Sequence, residues 1–164
     1  MTIIFSISHR PNQLGGFDNH ALTLLTNFAY EALTQYQPSK VISDLTLGWN
    51  IALAQVALEL QIPLIVAIPC CNQSNPWSGP FPQLYSSILS RADFIVQQNI
   101  PWSKSAVTQF TFRVIDHCDL ILAIWSDSIA SYSEPIQRDC IHYAHSVGKP
   151  IVYLWDDWNR FCRP

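Results

Sequence analysis

Three polar residues, Ser8, His9 and Arg10, stand together directly after the first apolar run of the chain. An arginine there can grip a phosphate or carboxylate through its planar fork. The plainer alternative is a surface residue paired with a nearby Asp. His9 would serve as a general base only with a carboxylate to orient it, and its sequence neighbours supply none. Asp44, Gly48 and Asn50 bracket the start of an apolar, helix-period segment. N–H groups behind Gly48 can hold an anion, or the glycine simply permits close helix–strand packing. Asp44 and Asn50 can hydrogen-bond a ribose or base, and Asp44 can equally cap the helix. Cys70 and Cys71 would be nucleophiles only with a base and a lowered pKa. The sequence shows neither, and packing is the simpler role. Trp77 can stack on a base or close a hydrophobic lid. Ser126, Ser131, Ser133 and Glu134 fall in one polar stretch, read as a loop running into a solvated helix start, where acidic residues sit well. His117, His142 and His145 form no metal set, and His142 lies two positions from Cys140, on a different helix face. No metal and no cofactor is expected.

These residues are carried by a regular alternation. Short apolar runs at 2–8, 40–43, 63–68, 93–97, 120–125 and 151–154 read as strands. Segments 21–36, 47–60, 82–91, 108–117 and 135–146 read as helices between them. Asn19 is placed to cap the first, Pro135 to open the last, and Gly148 to end it in the left-handed conformation. The tail from Trp155 onward fits neither pattern. Strand–helix alternation implies right-handed βαβ units and a mostly parallel sheet. Nearly continuous apolar strands imply helices on both faces. The expected architecture is a three-layer Rossmann-like α/β fold, one domain over 3–155 with a tail at 156–164. Ligands of such sheets bind beyond the C-terminal strand ends, which directs attention to loops 8–16, 44–48, 69–77 and 126–134.

Composition narrows the function. The chain has 164 residues, 49 % apolar and 13 % charged, which suits one packed domain. Its net charge of −3 and the lack of a basic run make nucleic acid an unlikely partner. Many apolar residues with few charges point to a homo-oligomer. Five cysteines without a CxxC pair make neither a disulfide framework nor a zinc site. The apolar N-terminus lacks a basic leader and reads as a strand, not a signal peptide. No apolar run reaches the roughly 18 residues that span a membrane. Cytoplasmic residence, with no membrane contact, is the default expectation.

The segment SHRPNQLGG at 8–16 is similar to the GHRPxxLGG motif of YpsA-like proteins, a branch of the SLOG superfamily. That superfamily also holds the LOG phosphoribohydrolases and the DprA-type DNA-processing proteins. SDLTLGWNIALAQVALEL resembles the family's SGMALGVDxxAAEVALEL, and PLIVAIPCCNQSNPW its PLIAAIPFxxQExxW, which places Gln73 and Trp77 at family positions. LYSSILSRADFIV, VIDHCDLILAIW and YAHSVGKPIVYLW follow in order, so the resemblance covers about residues 3–155.

The departures fall where the family meets ligand. Ser8 and Asp44 replace glycines, and Asn50 replaces an acid. The Arg-Asn pair expected near Phe110 and Thr111 is absent, as is the GGT stretch near 135–137. By register, Asp139 lies near the family's catalytic Glu, beside Arg138. Glycines let backbone N–H groups approach a phosphate, and a carboxylate at 44 would repel one. The resemblance therefore implies a small-molecule binding protein for a nucleotide or nucleotide-derived ligand, catalytically weak or inactive. Its ligand residues would be Ser8, His9, Arg10, Asp44, Gly48, Asn50, Gln73, Trp77 and Ser126. The alternatives are an N-glycoside hydrolase acting on a nucleoside monophosphate through Asp139 or Glu134, and a non-catalytic interaction scaffold.

Overall fold

A computed structural model of the chain describes residues 1–130 and 133–163. The expected candidate Ser131 lies outside them. The apolar runs become six strands: β1 (Ile3–Ser8), β2 (Lys40–Ser43), β3 (Leu64–Ile68), β4 (Phe94–Gln97), β5 (Leu120–Ile124) and β6 (Ile151–Tyr153). They form one sheet in the order β4-β3-β2-β1-β5-β6, and every pairing is parallel. The strand order reverses direction between β1 and β5. There the two crossovers leave on opposite faces and open a crevice at the strand ends.

Helices α1 (Asn19–Tyr36), α2 (Trp49–Glu59), α3 (Phe81–Arg91), α4 (Lys104–His117), α5 (Pro135–Ser146) and α6 (Trp155–Cys162) cover the sheet. The period-2 alternation of each strand sorts its side chains between two cores. Ile4, Val41, Leu64, Val66, Leu122 and Ile124 meet α1, α2, Ile88 of α3 and Trp158 of α6. Phe5, Ile7, Ile42, Ala67, Ile121 and Ala123 meet Phe110, Val114 and Ile115 of α4 and Cys140, Ile141 and Ala144 of α5. Helix α2 is apolar almost all round because it is enclosed on almost every side. No helix among the described residues is long and apolar enough to cross a membrane.

Three expectations are corrected. Asp18, not Asn19, caps α1, its side chain accepting from Ala21 N–H at 2.8 Å. Helix α4 begins at Lys104, four residues earlier than expected, because Ser103 caps it through Ala106 N–H. The unassigned tail is helix α6, which buries Trp158 beside Phe28 of α1.

The cysteines are packing residues. Cys70, Cys118 and Cys140 are buried, Cys162 is partly buried, and Cys71 alone is exposed. Burial pushes the Cys118 thiol up to about 11 and the Cys140 thiol up to about 12. Thiols raised in the folded state favour folding while neutral, and that contribution disappears as pH climbs past the unfolded value toward the folded one. Denaturant titrations should therefore show stability falling from about pH 9 to pH 12. Under native conditions one of the five thiols should react promptly with a chromogenic disulfide, and all five should react in denaturant. Two or more prompt native thiols would contradict this packing.

Candidate functional site

The crevice between β1 and β5 is occupied by the protein itself. His9, directly beyond β1, is 1 % exposed, and Glu134, directly before α5, is 0 % exposed. Ser126 N–H donates to His9 Nε2 at 3.0 Å, so that nitrogen carries no proton and the imidazole is neutral. Nδ1–H therefore donates to Glu134 Oε2 at 2.9 Å. Arg10 N–H donates to the other oxygen, Oε1, at 2.7 Å. The imidazole stacks on Trp125 with centroids 4.4 Å apart and meets the edge of Trp155 at 5.1 Å. Both ring nitrogens are thus committed to the fold, and His9 has none left to take a proton from a ligand. The orienting carboxylate that its sequence neighbours lack arrives from 125 residues away. Glu134 is correspondingly not a solvated helix-start residue. An acid isolated in an uncharged stretch and followed by Pro135 was the signal available for it.

Arg10 is exposed beyond this pair, its Nη1 3.5 Å from the carbonyl of Ser133. Ser8 is buried at the end of β1, and the Ser126 hydroxyl turns toward Ser128, 2.8 Å away. Asp139 stands half-exposed on α5, facing Lys104 Nζ at 4.0 Å.

The start of α2 is also covered. Gly48 has φ +98°, a conformation that favours glycine, and it is the residue before the helix. A Cβ built there would lie 3.2 Å from Pro11 Cγ, so the proline ring packs closely against Gly48 at the entry to α2. The space bounded by Pro11, Gly16, Asp18, Leu22, Leu25, Gly48 and Phe81 is about 10 Å³, room for about one water. A larger groove of about 310 Å³ lies elsewhere, between α1 and α6.

A polar network links the ends of β1 and β2 to α2. Ser6 Oγ–H donates to Asn50 Oδ1 at 2.5 Å, and Ser43 Oγ–H donates to the Asn50 carbonyl at 2.9 Å. Asn50 Nδ2 donates to Asp44 Oδ1 at 2.8 Å, as does Thr46 N–H at 2.9 Å. Asp44 thus closes a turn ahead of α2; it does not cap the helix, which starts after Gly48 without a side-chain cap. Burial pushes the Asp44 carboxyl above its usual range, against the downward pull of these donors.

Gln73, from the loop after β3, donates through Nε2 to the Asp44 carbonyl at 2.8 Å. A carbonyl only accepts, so the amide's orientation is decided, and Oε1 is left buried without a partner among the described residues. Trp77 packs edge-on against Tyr85 at 5.2 Å. Burial, then the neighbouring Cys70 and Asp44, push the Tyr85 phenol up to about 12. Tyr85 was not among the expected site residues; its position four after Phe81 on α3 aims it back at this loop.

The structure therefore separates the candidates into three groups. Ser8, His9, Ser126 and Glu134 form a closed strut. Asp44, Asn50, Gln73 and Trp77 form an acceptor-rich wall with Tyr85. Gly48 lies beneath Pro11, while Arg10 and Asp139 stand outside. Glu134→Ala strands two buried N–H donors and should cost about 3 kcal/mol, lowering Tm by roughly 6–12 °C. Glu134→Gln should cost less, since its oxygen still accepts one of them. Calorimetry showing Tm changed by under about 2 °C would mean the carboxylate is dispensable to the fold.

No protein-family model matches the chain, and no curated protein matches it. Solved structures do. DNA processing protein A from Helicobacter pylori, described for its single-stranded DNA binding mode, superposes with a TM-score of 0.59 at 15 % identity. The match covers 92 % of this chain and 63 % of that one, so the chain spans less than two thirds of that relative. The structural-genomics protein TM1055 superposes with a TM-score of 0.53 at 12 % identity, covering 92 % of this chain and 72 % of its own. Likeness at such identities concerns the backbone plan, and it agrees with the sheet order and layering above: the chain has a Rossmann-like α/β fold.

Proposed function

We propose that this chain is a small-molecule binding module of SLOG type, taking a nucleotide-derived ligand at the ends of β2 and β3 without turning it over. The recognised part of that ligand is a donor-bearing base, not a phosphate. One observation carries this reading: Gln73 Oε1, an acceptor with no protein partner, beside the largely buried Asp44 carboxylate. A buried acceptor left unmade costs about 1–3 kcal/mol, and a ligand N–H recovers it. Trp77 and Tyr85 supply an aromatic wall for the flat face of a base. Because Gln73 Oε1 is buried, this reading requires the loop bearing Gln73 and Trp77 to open for a ligand N–H to reach it. Phosphate is disfavoured twice, by Pro11 over the α2 start and by the Asp44 charge.

The hydrolase alternative loses ground because Glu134 is held by His9 and Arg10 N–H, and Asp139 stands half-exposed on α5, outside the crevice. Single-stranded DNA, bound by the Helicobacter pylori neighbour, is opposed here by a net charge of −3.

A thermal-shift screen tests the proposal with free bases, nucleosides, nucleoside monophosphates, ADP-ribose derivatives, cyclic dinucleotides, inorganic phosphate and an oligothymidylate. A base-bearing compound at about 100 times its Kd should raise Tm by roughly 5–10 °C. Inorganic phosphate should do nothing. Asp44→Asn should abolish the shift while raising the unliganded Tm, since it removes a buried charge yet keeps an acceptor for Thr46 N–H. Gln73→Leu should weaken binding at least about tenfold. A flat screen, or a shift that both variants retain, overturns the reading.

A further inference from the structure

Strand β4 is the edge of the sheet, and both of its faces are bare. Phe94 is 62 % exposed, Ile95 43 % and Val96 44 %. The chain leaving β4 adds Ile100 at 41 % and Trp102 at 57 %. The cause lies in the helix layer. Helix α4, which follows β4, crosses to pack on α5 and β1 and leaves β4 behind. The strand pairs with β3 on one side only, so its other edge presents unpaired N–H and C=O groups. Sheet edges are normally protected by lysine, proline, a bulge or inward charge. Phe94–Gln97 has no charged residue and no proline. The neighbouring acid, Asp93, is already occupied, its carboxylate accepting from Leu64 N–H at 2.8 Å.

We infer that β4 is a docking edge for a second copy of this chain, joining two six-stranded sheets into one continuous sheet of antiparallel join. Two observations select that partner. The first is area. Aromatic side chains offer about 150–250 Å² each and aliphatic ones somewhat less, so the exposed parts of these five come to roughly 500 Å² per copy. Full cover of both copies' patches would remove on the order of 1,000 Å², the floor for a biological interface.

The second is self-complementarity. Phe94 and Val96 are in register with Ile65 and Ala67, on the α4/α5 face, while Ile95 is in register with Val66 on the other face. A two-fold axis normal to the sheet through Ile95 places Phe94 of one copy opposite Val96 of the other. Ile95 then faces its own counterpart, the pairs made by Phe94, Ile95 and Val96 are apolar and on the correct face, and Gln97 falls opposite Asp93 at each end of the join. Strand β4 carries no charge to meet the backbone of a nucleic acid or an acidic peptide. The inference does not depend on the ligand proposed above.

Sedimentation equilibrium of the full chain should show a dimer at micromolar concentrations. Val96→Lys places a charge in the join twice over and should raise the dissociation constant at least about 100-fold, with circular dichroism unchanged. Ile95→Cys, in a Cys71→Ser background, should form a covalent dimer on mild oxidation. Opposed Cα atoms in an antiparallel pair are about 4.5–5.5 Å apart, within disulfide reach. The Cys71→Ser parent should not crosslink. Should Val96→Lys fail to fold, the crosslink decides alone. A chain monomeric throughout, whose edge would then serve a different partner, overturns the inference. So does a dimer indifferent to Val96→Lys whose Ile95→Cys form stays uncrosslinked.

Discussion

The sheet of this protein must be held together where its two halves diverge. Between β1 and β5 the crossovers leave on opposite faces, and the parallel ladder that joins the two strands ends at Ser8 and Ile124. The bridge is a carboxylate. Glu134 receives His9 Nδ1–H from the chain after β1 and Arg10 N–H from the same loop, while His9 Nε2 receives Ser126 N–H from the chain after β5. Trp125 and Trp155 close around the ring and exclude water. Each bond is strong because it is dry, and each would be costly to leave unmade for the same reason. The order of the neighbouring loops follows from it: the Arg10 turn, the Ser126 turn and the start of α5 all hang from these few atoms.

That use of the crevice has a functional corollary. Open α/β sheets commonly take a ligand at the divergence point; this chain fills it with its own side chains. The polar groups that remain available have moved one strand over, to the ends of β2 and β3. There the network through Ser6, Asn50 and Asp44 is mostly satisfied, and the exception is one amide oxygen of Gln73. Trp49 Nε1 and Thr108 Oγ1 are buried without a partner as well, but among these groups only Gln73 Oε1 lies in the loop after β3 beside the Asp44 network.

Local signals account for what could be read from the sequence. Runs such as PLIVAI and LILAIW are long enough and apolar enough to be buried strands in any context, and the parallel sheet followed from their alternation with helices. The Asp44 turn was half legible, because its partners Thr46 and Asn50 lie within six residues. Pairings set by topology were not. Nothing near His9 announces Glu134, and nothing near Gly48 shows that Pro11 will lie on it, since both depend on how far a loop folds back. Helix α6 was missed for a different reason. In WDDWNRFC the apolar residues recur at helical spacing for barely two turns, too short to stand out without Phe28 and Leu154 to pack against.

The arrangement of Pro11 over Gly48 bears on how this site can change. Opening an anion pocket at α2 would require both the ring to leave and the Asp44 charge to be replaced. Removing the ring alone opens a space that a carboxylate still guards. Replacing the carboxylate alone leaves the entrance shut. Neither first step brings a gain in anion affinity, and the loss of the ring sacrifices contacts with Gly48. The two positions are therefore coupled, and neither substitution alone opens an anion site at α2.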